Sequence, residues 1–430
     1  MTHSPLLMTA RLGRAVVLTT KALALGLACL CATAVLAAPD EDALGKTAGF
    51  PVAPKYGQYQ QEPYVVGSYT HMDSLHPHCT LSPSIKPLPL PKAATEPAFR
   101  YKFDGKTLSL DDYMQRQRVT ALVVLKDGEI VAERYGYERT ANMRYLSNSM
   151  AKTIVAIGIG QALDDGLIGS LEDTAAKYEP RIAGTLYGET KIIDLLRMAS
   201  GAKFVEDYTT TDDRTTFNKV VRSKGAVDGI RSVTTRKSPS GEQFHYSSSQ
   251  TQVLALVLRA ATQKTLCNYI GEKLWQPLGA ESTASWLTNV PDQVELASGN
   301  FNATPRDYAR LGWLLANDGA RDGKSVISKD YVMRMTDPNL QPPQFRPGAM
   351  QNHGSTYQGY GLQTWLLPGS HRKFALQGVY GQGIFVSPDL KLVIVHMAVG
   401  KDARGNASGT NMGAERDAMW RGVVARYGNW

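Results

Sequence analysis

The chain has 430 residues, 20% charged and 43% hydrophobic, with 39 Gly, 22 Pro and 4 Cys, a profile that excludes intrinsic disorder, collagen-like repeats and a disulfide-dense miniprotein. Basic residues outnumber acidic ones 47 to 39, a net charge of +8. The excess alone would allow a nucleic-acid partner, but Arg134, Arg139, Lys219, Arg222 and Lys224 are scattered among acids and form no stripe with stacking aromatics, which argues against one.

Residues 1–37 read as a secretory signal peptide. Arg11, Arg14 and Lys21 precede the charge-free, Ala/Leu-rich run Ala22 to Ala38, and Val35-Leu36-Ala37 offers a small-residue cleavage site. The uninterrupted apolar stretch, about 17 residues, sits at the lower limit for crossing a bilayer. The expected mature chain therefore begins at Ala38, is secreted or periplasmic, and keeps no stable membrane span after cleavage. Its net charge falls to +5, since three cations leave with the signal.

Cys29 and Cys31 leave too, so Cys79 and Cys267 are the cysteines of the mature chain in an oxidising compartment. The sequence leaves open whether they pair or sit as isolated buried thiols. His71, His76 and His78 beside Cys79 offer a metal reading, but no second ligand cluster accompanies them, and no metal is expected.

Residues 38–100 are rich in proline and poor in periodicity, which predicts an extended arm lying on the body. From Val119 the run Ala121-Leu122-Val123-Val124-Leu125, the dipeptide Asp127-Gly128 and the run Glu129-Ile130-Val131-Ala132 predict a β-hairpin. After Ser149 the spacing of Ile154, Ile157, Ile159, Leu163 and Leu167 predicts a helix with one apolar stripe. Further helices are predicted near Lys191–Met198, Gln250–Ala261, Pro305–Asn317 and Ala414–Tyr427, and strands near Gly383–Val386 and Lys391–Met397. Strands from both ends of a chain with helices between them describe an α/β plus all-α architecture, an antiparallel sheet flanked by helices with a helical inserted lobe.

Several hydrolase and nucleotide-binding signatures are absent: G-x-S-x-G, H-E-x-x-H, G-x-x-x-x-G-K-[ST] and a dinucleotide fingerprint opening a helix. S-x-x-K occurs three times, at Ser149–Lys152, Ser200–Lys203 and Ser370–Lys373. The second and third adjoin glycine turns, whereas Ser149 heads the apolar helix. Three residues make one helical turn and bring the Lys152 amine to the Ser149 hydroxyl. The helix N-terminus adds unpaired N–H groups that favour a developing oxyanion. Phe244-His245-Tyr246-Ser247-Ser248-Ser249 supplies a tyrosine able to relay a proton. Leu376-Gln377-Gly378-Val379 supplies a glycine-containing strand edge able to complete an oxyanion hole.

In this order the three elements resemble the serine β-lactamase and penicillin-binding-protein superfamily, with S-x-x-K at Ser149–Lys152, Tyr-x-[Asn/Ser] at Tyr246–Ser248 and the third-motif strand at Leu376–Gly378. The segments Tyr269 to Gly279 and Asn302 to Gly312 are similar to its class C-like branch. Ser200-Gly201-Ala202-Lys203-Phe204-Val205-Glu206-Asp207-Tyr208 resembles the 6-aminohexanoate-oligomer hydrolases, in which a tyrosine of this loop lies at the active site. The resemblance implies a β-lactamase-like fold over residues 101–430, with an α/β lobe at about 101–148 and 358–430 and a helical lobe at about 149–357. It also implies acyl transfer through an acyl-serine: Ser149 as nucleophile, Lys152 as base, Tyr246 as proton relay, and the Ser149 and Val379 N–H groups as oxyanion hole. Tyr208, Ser248, Gln377 and Gly378 are the implied substrate-binding residues, and no cofactor is required.

Departures narrow the chemistry. The triplet Leu376-Gln377-Gly378 lacks the cation that Lys-Thr-Gly carries to hold a substrate carboxylate, and Ser248 replaces the asparagine of Tyr-x-Asn. The expected function is thus an exported serine hydrolase of small-molecule carboxylic esters and linear amides. The alternatives are a β-lactamase or D-alanyl-D-alanine carboxypeptidase, and a non-catalytic penicillin-binding-like recognition module. No signal in the sequence sets an oligomeric state.

Overall fold

The computed structural model describes residues 38–350, 357–406 and 411–430, so the leader expected at residues 1–37 lies outside them. Its centre is an antiparallel sheet of seven strands in the order Gly359–Tyr360, Trp365–Leu366, Phe374–Gly378, Gln382–Ser387, Leu392–Ala398, Val119–Lys126 and Glu129–Tyr135. The predicted hairpin is its edge. Asp127 and Gly128 both take positive φ, 52° and 86°, as a two-residue turn matched to strand twist demands.

Side chains along Val119–Lys126 alternate between two cores. Ala121, Val123 and Leu125 join the larger one, and Val119, Leu122 and Val124 the smaller. The larger core also takes residues of the Ala151–Asp164, Ser248–Thr262 and Pro305–Ala316 helices, and the smaller takes Trp420 and Val423 of the C-terminal Met412–Ala425 helix. Both faces of this antiparallel sheet are therefore covered, which is why its central strands read as continuous apolar runs rather than alternating ones.

The helix after Ser149 differs from its expectation. Residues Ala151 to Ala162 are buried on every side, not along one stripe, and Leu167 is exposed because the helix stops at Asp164. The helix runs through the protein interior, and a helix surrounded by protein is apolar all round.

Residues 38–100 carry more structure than an extended run. Short helices at Val65–Tyr69 and Met72–Leu75 precede the strand His78–Leu81, which pairs with Ala284–Leu287 in a second, four-stranded sheet. Leu44, Phe50, Val66, Met72 and Leu81 are buried in the larger core. Cys79 and Cys267 form a disulfide that ties this strand to the body, with Cα atoms 6.2 Å apart and 188 residues between them in sequence. Its sulfur being so engaged, Cys79 is no metal ligand, and His71 Nδ1 is hydrogen-bonded to the Gly67 carbonyl at 2.9 Å. A crosslink closing so long a loop restricts the unfolded chain, so the double variant Cys79→Ala/Cys267→Ala should lose about 2–5 kcal/mol of stability. Urea denaturation measures this, and an unchanged midpoint would contradict it.

Candidate active site

Ser149 enters the site on a constrained turn. The strand Tyr145–Leu146 leads into a 3-10 turn, Asn148–Met150, and the Ala151–Asp164 helix follows directly. Asn148 has φ of 44°, a left-handed conformation that costs a non-glycine residue about 1–3 kcal/mol. Its side-chain Nδ2 donates to the Val379 carbonyl at 3.0 Å, which holds the turn against the third-motif strand. The Ser149 side chain is left half-exposed at the positive end of the helix.

One turn on, Lys152 is only 1% exposed. Its Nζ donates to Ser149 Oγ at 2.9 Å and to the Ser298 carbonyl at 2.6 Å. Burial lowers the pKa of this lysine, Glu206 opposes that shift and Arg214 reinforces it, leaving the amine at about 8. Tyr246 completes the group. Its buried hydroxyl hydrogen-bonds Ser149, its ring centroid lies 5.1 Å from Lys152 Nζ, and the ring stacks on Trp365 at 5.7 Å. Burial pushes the Tyr246 phenol far above its ordinary range, so the lysine is the group of this trio that loses a proton near neutral pH.

The third element approaches from the sheet. A Cβ built on Gly378 would lie 2.5 Å from the Ser147 carbonyl oxygen and 2.9 Å from Asn148 Cβ, so only glycine lets the strand lie this close to the serine turn. Gly378→Ala should push the two apart and cost on the order of 10²-fold in kcat/KM on an activated ester. Wild-type turnover in that variant would show the close approach to be unnecessary. Val379 follows and, with Ser149, borders a groove of about 550 Å³. Gln377 borders it too, its Oε1 accepting from Arg416 Nη2 at 3.1 Å. Arg416, on the C-terminal helix, borders the same groove.

Tyr208 reaches the same groove. Its backbone is left-handed, φ 67°, its N–H donates to Asp212 Oδ2 at 2.9 Å, and the Arg214 guanidinium lies 5.1 Å from its ring centroid. Ser248 is placed differently: its backbone N–H and its hydroxyl both donate to Glu206, each at 2.7 Å, and it borders a smaller cavity that also reaches Ser149. Ser200 and Ser370, which head the other S-x-x-K patterns, border neither cavity.

Several groups at this site were not singled out as such in the sequence. Glu206 stands two residues before Tyr208 in the segment quoted above, and its position was a signal that was available. Ser298, Trp365 and Arg416, together with Tyr56 and Tyr59 of the N-terminal segment, come together only through the tertiary fold and carry no local motif.

The family model described as Beta-lactamase matches residues 109–412. A 6-aminohexanoate-dimer hydrolase of Paenarthrobacter ureafaciens is 25% identical over 359 residues, covering 80% of this chain and 88% of the relative. A solved structure from Bacillus anthracis, assigned as a 6-aminohexanoate-dimer hydrolase, superposes with a TM-score of 0.77 at 23% identity, covering 87% of this chain and 98% of that one. A family VIII carboxylesterase superposes with a TM-score of 0.51 at 17% identity, over 71% of this chain and 93% of that one. Among the described residues no helix is long and apolar enough to cross a membrane. With residues 109–412 matched, including the Ser149, Tyr246 and Gly378 segments, the chain belongs to the beta-lactamase family of hydrolases.

Proposed function

We propose that the protein is a serine hydrolase that cleaves carboxylic esters and linear amides through an acyl-Ser149 intermediate. The observation that carries this is the 2.9 Å contact between Ser149 Oγ and the buried Lys152 amine. Neutral Lys152 takes the proton as Ser149 Oγ attacks the acyl carbon, and the N–H groups of Ser149 and Val379 receive the oxyanion. Tyr246 relays the proton from Lys152 to the leaving group, and water then discharges the acyl-enzyme. Tyr208, Gln377 and Gly378 contact substrate in the groove, and Ser248 does so from the smaller cavity. The substrate class is supported by the absent Lys-Thr-Gly cation and by the names of the relatives, a dimer hydrolase and a carboxylesterase. Profiling purified protein on p-nitrophenyl esters, linear amide dimers and a chromogenic cephalosporin tests it. Failure on every ester would overturn it, and cephalosporin turnover matching that of esters would favour a β-lactamase instead.

We also infer export, with residues 1–37 as leader, 38–100 as a segment laid on the hydrolase and 101–430 as the hydrolase itself. The charge and apolar pattern of the leader supports this, as does the Cys79–Cys267 disulfide, since disulfides persist in oxidising compartments. N-terminal sequencing of the mature protein should begin at Ala38, and recovery of the protein with Met1 intact would contradict export by cleavage.

A further inference from the structure

Two cavities reach Ser149, and they differ in size and lining. The groove of about 550 Å³ has Tyr246, Trp365 and Met412 among its walls. The other is about 80 Å³, polar, and bordered by Glu206, Arg214, Ser248, Asn300, Tyr56 and Tyr59. It is large enough to hold water and smaller than the groove.

The two tyrosines belong to the N-terminal segment, outside the stretch 109–412 that matches the family. They are held firmly. The Tyr56 hydroxyl donates to Asn300 Oδ1 at 3.2 Å and accepts from Arg222 Nη2 at 2.8 Å, with the guanidinium 4.6 Å from its ring centroid. Tyr59 packs between Tyr56 and Tyr69, with centroids 5.1 and 6.0 Å away. The segment itself is pinned by the Cys79–Cys267 disulfide and by Arg144 Nε on Asp73 Oδ2 at 2.7 Å.

We infer that the small cavity is the acyl-acceptor site, and that Tyr56 and Tyr59 are specificity-determining residues that admit water to the acyl-enzyme while excluding larger alcohols. This rests on the acyl-Ser149 reading above. The acyl chain occupies the large groove. In the small cavity a water oxygen attacks the acyl carbon and gives its proton to Lys152. The bond from that carbon to Ser149 Oγ breaks, and Oγ recovers a proton from Lys152, either directly or through Tyr246. An alcohol in place of water would pass through the same steps and release an ester, so the space available to the acceptor decides which product forms.

The test is the ratio of ester to acid formed from a p-nitrophenyl ester in the presence of methanol, butanol or benzyl alcohol. Both products come from one acyl-enzyme, so the ratio does not depend on how fast that intermediate forms. Wild-type enzyme should give acid almost alone with butanol and benzyl alcohol. Tyr59→Ala should raise the ester-to-acid ratio for these alcohols by about tenfold or more, whereas Tyr59→Phe, which keeps the wall, should match wild type. If Tyr59→Ala does not fold, Tyr59→Leu, which keeps an apolar surface toward Tyr69, reads the same ratio. Equal ratios in wild type and the shortened variant, or ready butanolysis by wild type, would overturn the inference. A wild-type protein that cleaves no ester would instead sink the acyl-serine reading, and this inference with it.

Discussion

Ser149→Ala is expected to lower ester turnover by on the order of 10⁴-fold or more, the largest loss of any single substitution in the site. Lys152 and Tyr246 both direct their polar atoms at the Ser149 hydroxyl, so without it neither has a proton to move. What remains is the polarisation of a bound carbonyl by backbone N–H groups, which does not by itself supply a nucleophile. The substitution removes one half-exposed oxygen and leaves the core intact, so the folded protein should be recovered in normal yield. Steady-state kinetics on a p-nitrophenyl ester measures the effect, and retention of more than about one-hundredth of wild-type activity would contradict the role.

The second large effect is expected from Lys152→Met, a loss of about 10³- to 10⁴-fold. Methionine keeps most of the buried volume and removes an amine whose charged form the interior disfavours, so the loss is chemical rather than structural. The same lysine sets a pH dependence. Its base form is the neutral amine, and burial leaves its pKa at about 8, so kcat/KM should fall as pH drops through about 8. Glu206 favours the ammonium form, so Glu206→Gln should depress the pKa further and move this limb to lower pH. A limb that stays in place in Glu206→Gln, or moves upward, would show that this carboxylate does not govern the lysine.

Much of the site's arrangement is legible in local sequence, because local geometry produces it. Three residues of helix place Lys152 beside Ser149, an Asp-Gly pair turns the hairpin, and a glycine at position 378 marks where a strand must come close. The Ala151–Asp164 helix shows the limit of such reading. Its periodicity identified a helix, but whether one face or all faces are buried depends on neighbours more than 100 residues away. The missing third-motif cation is a second case. Gln377 is legible as a departure from Lys-Thr-Gly, while Arg416 of the C-terminal helix, which donates to Gln377 Oε1, has no motif that ties it to that strand. Tyr56 and Tyr59 lie in a proline-rich stretch with no periodicity, and they reach the site only because a strand pairing and a disulfide fold that stretch back over the body. Ser248 was placed in its motif by spacing, but its commitment to Glu206 depended on the loop before Tyr208, whose course sequence pattern does not determine.

The most direct measurement is peptide mapping by mass spectrometry after brief exposure of the native protein to a fluorophosphonate. A single adduct on the peptide that contains Ser149, absent from Ser149→Ala and slowed at pH values well below 8, is the predicted result. An adduct on another residue, or undiminished labelling of Ser149→Ala, would contradict the acyl-serine mechanism.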